Sequence, residues 1–183
     1  MSPIGFIVCG PPGVGKSVHF KKMLSNAGIK KKIAFFDPDM RSEKTAEERS
    51  RLNLEQVNEA IDSGIDFGYV GICGGKRLVD IIKRMKSNDY HAVIAVVYST
   101  LPVALERVRK RTEQPVPEDV IKELYSYFKR KAESYMKLDA DIYLYNNETD
   151  FNLLLSKKNK KIVCRDADAD FYFDVSRYCS GSI

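Results

Sequence analysis

The sequence predicts an α/β fold in three layers, a mostly parallel sheet of about five to six strands with helices on both faces. Three observations carry that expectation. Short apolar runs alternate along the chain with segments whose apolar residues recur at helical spacing. The most apolar run, AVIAVV at 92–97, lacks the polar alternation of a half-exposed strand and reads as a central one. The first run, IGFIVC at 4–9, passes through GPPGVGKS at 10–17 into a helical pattern, VHFKKML at 18–24.

That loop is a complete G-x-x-x-x-G-K-[ST] sequence, with a strand before it and a helix after it. Gly10, Pro11, Pro12, Gly13, Val14 and Gly15 would curl successive backbone N–H groups around a phosphate, backed by the positive end of a helix. Lys16 would reach the β- and γ-phosphates, and the Ser17 hydroxyl would ligate Mg²⁺. The chain is therefore expected to bind a nucleoside triphosphate on a P-loop NTPase fold.

Length and composition set the frame. The 183 residues suit a single domain, 1–183, with 166–183 as a C-terminal extension of unreadable structure. No apolar stretch reaches membrane-spanning length and no basic-then-apolar leader precedes the first strand, so a cytoplasmic protein without membrane contact is expected. A net charge of +5 suits anionic ligands, nucleotides or nucleic acid alike. Cys9, Cys73, Cys164 and Cys179 are far apart and show no C-x-x-C spacing; Cys9 and Cys164 fall in apolar runs and read as buried, inert thiols. His19 and His91 stand alone, which argues against zinc.

The remaining elements follow in order. The first helix should run from the loop to about Asn26, with Gly28 as its stop. A second strand at 33–36 ends abruptly in DPDMR at 37–41. Thr45 and Glu48 form a capping box for a second helix, on which Leu54, Val57 and Ile61 keep helical spacing. A third strand at 67–72 ends in CGGK at 73–76, and a third helix follows with Leu78, Ile81, Ile82 and Met85 on one face. Pro102 opens a fourth helix running to Arg111, before a proline-rich break at 112–117. A fifth helix is expected to bury Val120, Ile121, Leu124, Tyr127 and Phe128 as one stripe. A strand at 141–145, a short helix from Phe151 to about Ser156, and a last strand at 161–164 complete the reading. Asp166, Asp168 and Asp170 lack the glycine and closing glutamate of a calcium loop and read as a solvated turn.

What the chain lacks narrows the use of the loop. Neither the third strand nor the central one ends in a carboxylate, the acid motor-type ATPases place there, and no N-K-x-D guanine signature exists. DFG at 66–68 stands at a strand start without a catalytic loop and carries no chemistry. Asp37 and Asp39 remain, directly after the second strand, where the loops of an open α/β sheet border the ligand crevice. One of them can accept the proton of an attacking hydroxyl. Arg107 and Arg111, four apart and so on one helical face, are candidates to offset charge spreading over the γ-phosphate.

In this order, the glycine loop, D-x-D after the second strand, R-x-x-x-R at 107–111, and VPEDVIKELY at 116–125 resemble zeta-toxin-type P-loop kinases. DIYLYN at 141–146 is similar to that family's last core strand, and the likeness spans roughly residues 4–147. The resemblance implies a nucleoside-monophosphate-kinase-like fold and ATP- and Mg²⁺-dependent phosphorylation of a hydroxyl, in several members the 3′-hydroxyl of UDP-N-acetylglucosamine. It implies Asp39 as general base, Arg41 as a nearby basic residue of the kind seen in polynucleotide kinases, and a substrate-side glutamate near Glu55 or Glu59. Asp37, from its place after the second strand, is a further substrate-side candidate. The chain departs from the family after its third strand, where GICG at 71–74 replaces a motif with an acid. A small-molecule or nucleotide-sugar kinase is the first expectation. A polynucleotide or nucleoside kinase is the alternative, suggested by the lysine clusters at 30–32 and 157–161, and a non-catalytic NTP-binding module is the third.

Overall fold

The computed structural model describes residues 2–42, 45–111 and 116–179. Seven strands form one sheet: β1 Ile4–Cys9, β2 Ala34–Phe36, β3 Phe67–Gly71, β4 His91–Tyr98, β5 Asp141–Asn146, β6 Asn152–Lys158 and β7 Lys161–Cys164. Their order is β2-β3-β1-β4-β5-β6-β7, which places the most apolar strand in the middle as expected. The first five strands pair in parallel, and β6 and β7 add antiparallel. The helices are α1 Phe20–Asn26, α2 Ala46–Asp62, α3 Lys76–Ser87, α4 Leu101–Arg109, α5 Glu118–Ala132 and α6 Ser176–Cys179.

Strand alternation divides the core between the two sheet faces. Ile7, Cys9, Ile94 and Val96 pack with α2, α3 and α5, while Phe6, Val8, Val93 and Ala95 pack with α1 and Phe151. The layers are those the sequence predicts, and α2 opens on Thr45 as read, its Oγ1 accepting the Glu48 N–H at 3.1 Å.

Three local expectations are corrected. The segment 151–156 is not a helix: Asn152–Lys158 is a strand that makes a hairpin with β7. Its two-residue turn, Asn159 and Lys160, takes φ of 49° and 67°, the doubly left-handed geometry of a type I′ hairpin without the glycine that normally announces it. The Asn159 N–H donates to the buried Asp141 Oδ1 at 3.0 Å, so a tertiary contact supplies what local sequence lacks. The first regular helix begins at Phe20, three residues beyond Ser17, because 17–19 form a turn closed by Phe20 N–H to the Ser17 carbonyl. The cysteines are not separate thiols: Cys9 pairs with Cys73 and Cys164 with Cys179, across 64 and 15 residues of sequence. Disulfides persist mainly in oxidising compartments, which the cytoplasmic expectation does not account for. Among the described residues no helix is long and apolar enough to cross a membrane.

The unreadable C-terminal extension is part of the core through residue 179. Tyr172 and Val175 are buried, Tyr172 stacks edge-on against Tyr98 and Phe128, and its hydroxyl donates to the Val97 carbonyl at 3.0 Å. Tyr172→Ala should therefore cost about 3–5 kcal/mol of unfolding free energy in urea titrations, as for other large buried aromatics. A loss below about 1 kcal/mol would show that the extension lies on the core without belonging to it.

Candidate active site

The carboxyl ends of β1, β2 and β3 open into a cleft of about 760 Å³. Its nucleotide wall is the glycine loop. Gly13 and Gly15 hold φ of 83° and 90°, and a Cβ at either would collide, with the Ala104 carbonyl of α4 and the Asn147 amide respectively. Asn147 in turn donates its Nδ2 to the Val14 carbonyl at 2.8 Å. The loop is thus clamped between α4 and the β5–β6 turn, and its geometry is preset.

Lys16 folds back onto the loop, its Nζ donating to the carbonyls of Gly10 and Pro11 at 2.9 Å each. Although part of its surface reaches the cleft, the ammonium is ringed by protein atoms. Burial lowers its pKa to about 8, against the raising influence of Asp39 and Asp37. Ser17 donates its hydroxyl to Asp37 Oδ2. Asp37 is 4 % exposed, and its other oxygen accepts the Asp39 N–H at 2.9 Å, capping a 3₁₀ turn over Pro38–Met40. That turn aims Asp39 outward, where Oδ2 meets Arg111 Nη1 at 3.1 Å.

Lys16, Ser17, Asp37, Asp39 and Arg111 therefore meet at one cleft, together with Pro12, Gly13 and Gly15. Gly10, Pro11 and Val14 form the body of the loop behind it. Arg107 does not share a face with Arg111. The helix ends at Arg109, so Arg111 swings over the cleft while Arg107 donates to the Glu148 carbonyl at 3.2 Å. Arg107 Nη1 is buried with no partner among the described residues. Arg41 binds Gln56 Oε1 at 2.7 Å and does not line the cleft. Glu55 and Glu59 lie on the exposed face of α2, Glu55 paired with Arg51, so neither reaches the substrate side. Of the proline-rich break at 112–117, residues 112–115 lie outside the described residues, and Pro117 stands at the N-cap of α5. Asp66 of the DFG triplet accepts the Ile4 N–H at 2.7 Å and pairs with Lys31, at the opposite end of the sheet.

Sequence reading missed the far wall. Arg49 and Ser50 of α2, Arg77 of α3, Tyr69 of β3, and Leu124 and Tyr127 of α5 line it. Ala46, Arg49 and Ser50 are one helical stripe, offset from the one carrying Glu55 and Glu59, and this register was the signal available.

With the site in view, comparison with solved structures places the fold. The chain aligns over 99% of its length with a chain of the AvrRxo1-ORF1:AvrRxo1-ORF2 structure with ATP, at TM-score 0.69 and 13% identity. The chain has the fold of the zeta-toxin-type P-loop kinases. It spans only 64% of that AvrRxo1 chain. A chain of the PezAT chromosomal toxin–antitoxin system of Streptococcus pneumoniae matches at TM-score 0.62 and 15% identity, covering 86% of this chain and 72% of that one. A chain of the Pnkp1/Rnl/Hen1 RNA repair complex matches at TM-score 0.57 and 14% identity, over 72% of this chain and 46% of that one. Neither a family model nor a curated relative matches the sequence.

The depressed Lys16 gives a pH prediction with a definite sign. Below pH 8 the ammonium is charged and can meet phosphate oxygens; as pH rises through about 8 the free protein loses that charge. Affinity for a non-hydrolysable ATP analogue should fall with pH above about 8, with proton uptake on binding seen by calorimetry in buffers of different ionisation enthalpy. A flat affinity profile between pH 7 and 9.5 would contradict it.

Proposed function

We propose that this protein is an ATP-dependent phosphotransferase that moves the γ-phosphate to a hydroxyl of a small molecule bound at the α2–α3 side of the cleft. The observation that carries the reading is the convergence of Lys16 and Ser17 with Asp37, Asp39 and Arg111 across one opening. A loop that only held nucleotide would need no carboxylate presented toward an acceptor side.

The donor half works by positioning. The loop N–H groups and Lys16 hold the β- and γ-phosphates, which requires Lys16 to leave the carbonyls of Gly10 and Pro11. Ser17 and Asp37 suit Mg²⁺, which takes a hydroxyl and one carboxylate with phosphates and water; no cluster of three acids, histidines or cysteines exists among the described residues. Bound there, Mg²⁺ would neutralise charge on the β- and γ-phosphates. This makes Asp37 a metal-side rather than a substrate-side acid.

The acceptor half turns on Asp39. Its carboxylate takes the proton of the acceptor hydroxyl as that oxygen forms a bond to γ-phosphorus. The bond from γ-phosphorus to the bridging oxygen breaks, and its electron pair leaves with ADP. Arg111, now paired with Asp39, stands where it can turn to the equatorial oxygens as charge spreads over them. A cleft of about 760 Å³ suits small-molecule ligands, and a nucleotide sugar such as UDP-N-acetylglucosamine is the first acceptor to try.

Incubation with γ-labelled ATP and Mg²⁺ against nucleotide sugars, nucleosides and 5′-hydroxyl oligonucleotides tests the reading. Label is expected in a small-molecule acceptor, and label only in oligonucleotides would overturn that assignment. Asp39→Asn should lower kcat by about 10²–10⁴-fold while leaving analogue binding intact. Full activity in that variant would remove Asp39 as the base.

A further inference from the structure

The α3 side of the cleft is tied to the nucleotide loop through sulfur. Cys9 is the last residue of β1 and directly precedes Gly10, and Cys73 stands two residues past the end of β3. β1 and β3 pair in parallel with Cys9 opposite Gly71, so the chain must turn back beyond Gly71 for Cys73 to reach Cys9. It does so with Cys73 at φ 55°, a left-handed conformation that a residue with a side chain keeps only where its surroundings hold it. Two contacts hold it: the bond to Cys9, and the Tyr135 hydroxyl, which donates to the Cys73 carbonyl at 2.7 Å. Gly74 and Gly75 follow, so close to Tyr127 that a Cβ on either would meet its ring or its hydroxyl, and α3 then brings Arg77 to the cleft wall.

The two disulfides differ in how they can be reached. Cys9 is fully buried and Cys73 is 8 % exposed, and Cys73 but not Cys9 lines the cleft. A molecule that attacks this pair in the folded protein has the cleft as its way in, and whatever fills the cleft stands in its path. Cys164 and Cys179 are half-buried at the outer edge of the sheet, where β7 meets α6, and neither lines the cleft.

We infer that Cys9–Cys73 is a thiol–disulfide exchange site that opens on the cleft, takes a small dithiol as its reductant, and is shielded by a ligand bound there. The thiolate of the dithiol attacks the Cys73 sulfur; the S–S bond breaks, and the Cys9 sulfur leaves with the electron pair and takes up a proton. The second thiol then attacks the mixed disulfide, Cys73 is released as a thiol, and the reductant departs as a cyclic disulfide, two electrons having passed to the pair. Opening removes one of the two contacts that keep Cys73 left-handed, so the turn into α3 is no longer bonded to the foot of the nucleotide loop. The site stands on the cysteine pair and the cleft alone and needs no phosphoryl transfer.

The test treats the oxidised protein with dithiothreitol and reads each cysteine pair separately by timed alkylation and mass spectrometry. Cys9–Cys73 should open while far-ultraviolet circular dichroism stays unchanged. Saturation with AMP-PNP and Mg²⁺ should slow that opening about tenfold and leave Cys164–Cys179 unaffected. Failure to open in the folded protein, or an opening rate indifferent to AMP-PNP, would overturn the inference. Equal slowing of both pairs would overturn it too, because it marks general stabilisation by the ligand and not shielding at the cleft. The Cys9→Ala/Cys73→Ala double variant stands in for the opened pair. By calorimetry it should bind AMP-PNP about tenfold more weakly, and Cys164→Ala/Cys179→Ala as tightly as the unaltered protein. Undiminished affinity in the first variant would overturn the tie to the nucleotide loop, and if that variant does not fold the timed alkylation decides. Both readouts are independent of turnover, on which the phosphotransferase reading stands or fails.

Discussion

The hydrogen bond from Ser17 to Asp37 joins two loops that no strand pairing joins. β1 and β2 are separated in the sheet by β3, so the glycine loop and the aspartate turn meet only above the end of β3. β3 ends there in Gly71, and the carboxylate its tip lacks is supplied from one strand further out. Everything on the donor side then follows. Asp37, fixed by Ser17, caps the turn that presents Asp39; Asp39 meets Arg111; and Arg111 is free to come because α4 stops two residues earlier.

The clamp on the glycine loop is built from the other side of the sheet. Asn147 anchors the loop at Val14, and its own N–H is held by the Tyr98 carbonyl at the end of β4. Glu148 takes both the N–H and the hydroxyl of Thr100, at 2.6 Å each, and its carbonyl receives Arg107. Arg107 thus braces the base of the loop, and Arg111 alone of the two arginines lines the cleft. On the other side, Tyr135 donates to the Cys73 carbonyl at 2.7 Å, and Cys73 is bonded to Cys9 at the foot of the glycine loop. The floor of the cleft is held at both edges by buried groups, so its geometry does not depend on a ligand to form.

How much of this could be read in the chain depends on how local each cause is. The glycine loop, the parallel order and the central place of β4 are written in continuous residues, and their periodicities survive into the fold. The hairpin of β6 and β7 is not, because Asn159 and Lys160 take left-handed conformations under the pull of Asp141, a contact eighteen residues away. The cysteine pairs are invisible for the same reason. Among the site residues, Asp37 and Asp39 were placed by the crevice rule, but only the Ser17 contact distinguishes the buried Asp37 from the outward Asp39. Arg49 and Arg77 were missed because helical register, not composition, decides which face of α2 and α3 meets the cleft, and that register is their one signal in the sequence. Glu55 and Glu59 were named by resemblance and fell on the wrong stripe.

The central claim is that a carboxylate from β2, not from β3 or β4, completes the metal side of the glycine loop. Electron paramagnetic resonance titration of Mn²⁺ into protein saturated with AMP-PNP tests it most directly. Asp37→Asn and Ser17→Ala should each weaken Mn²⁺ binding about tenfold, and the double variant little more than either alone, because the two groups act as one site. Unchanged Mn²⁺ affinity in Asp37→Asn would contradict the account.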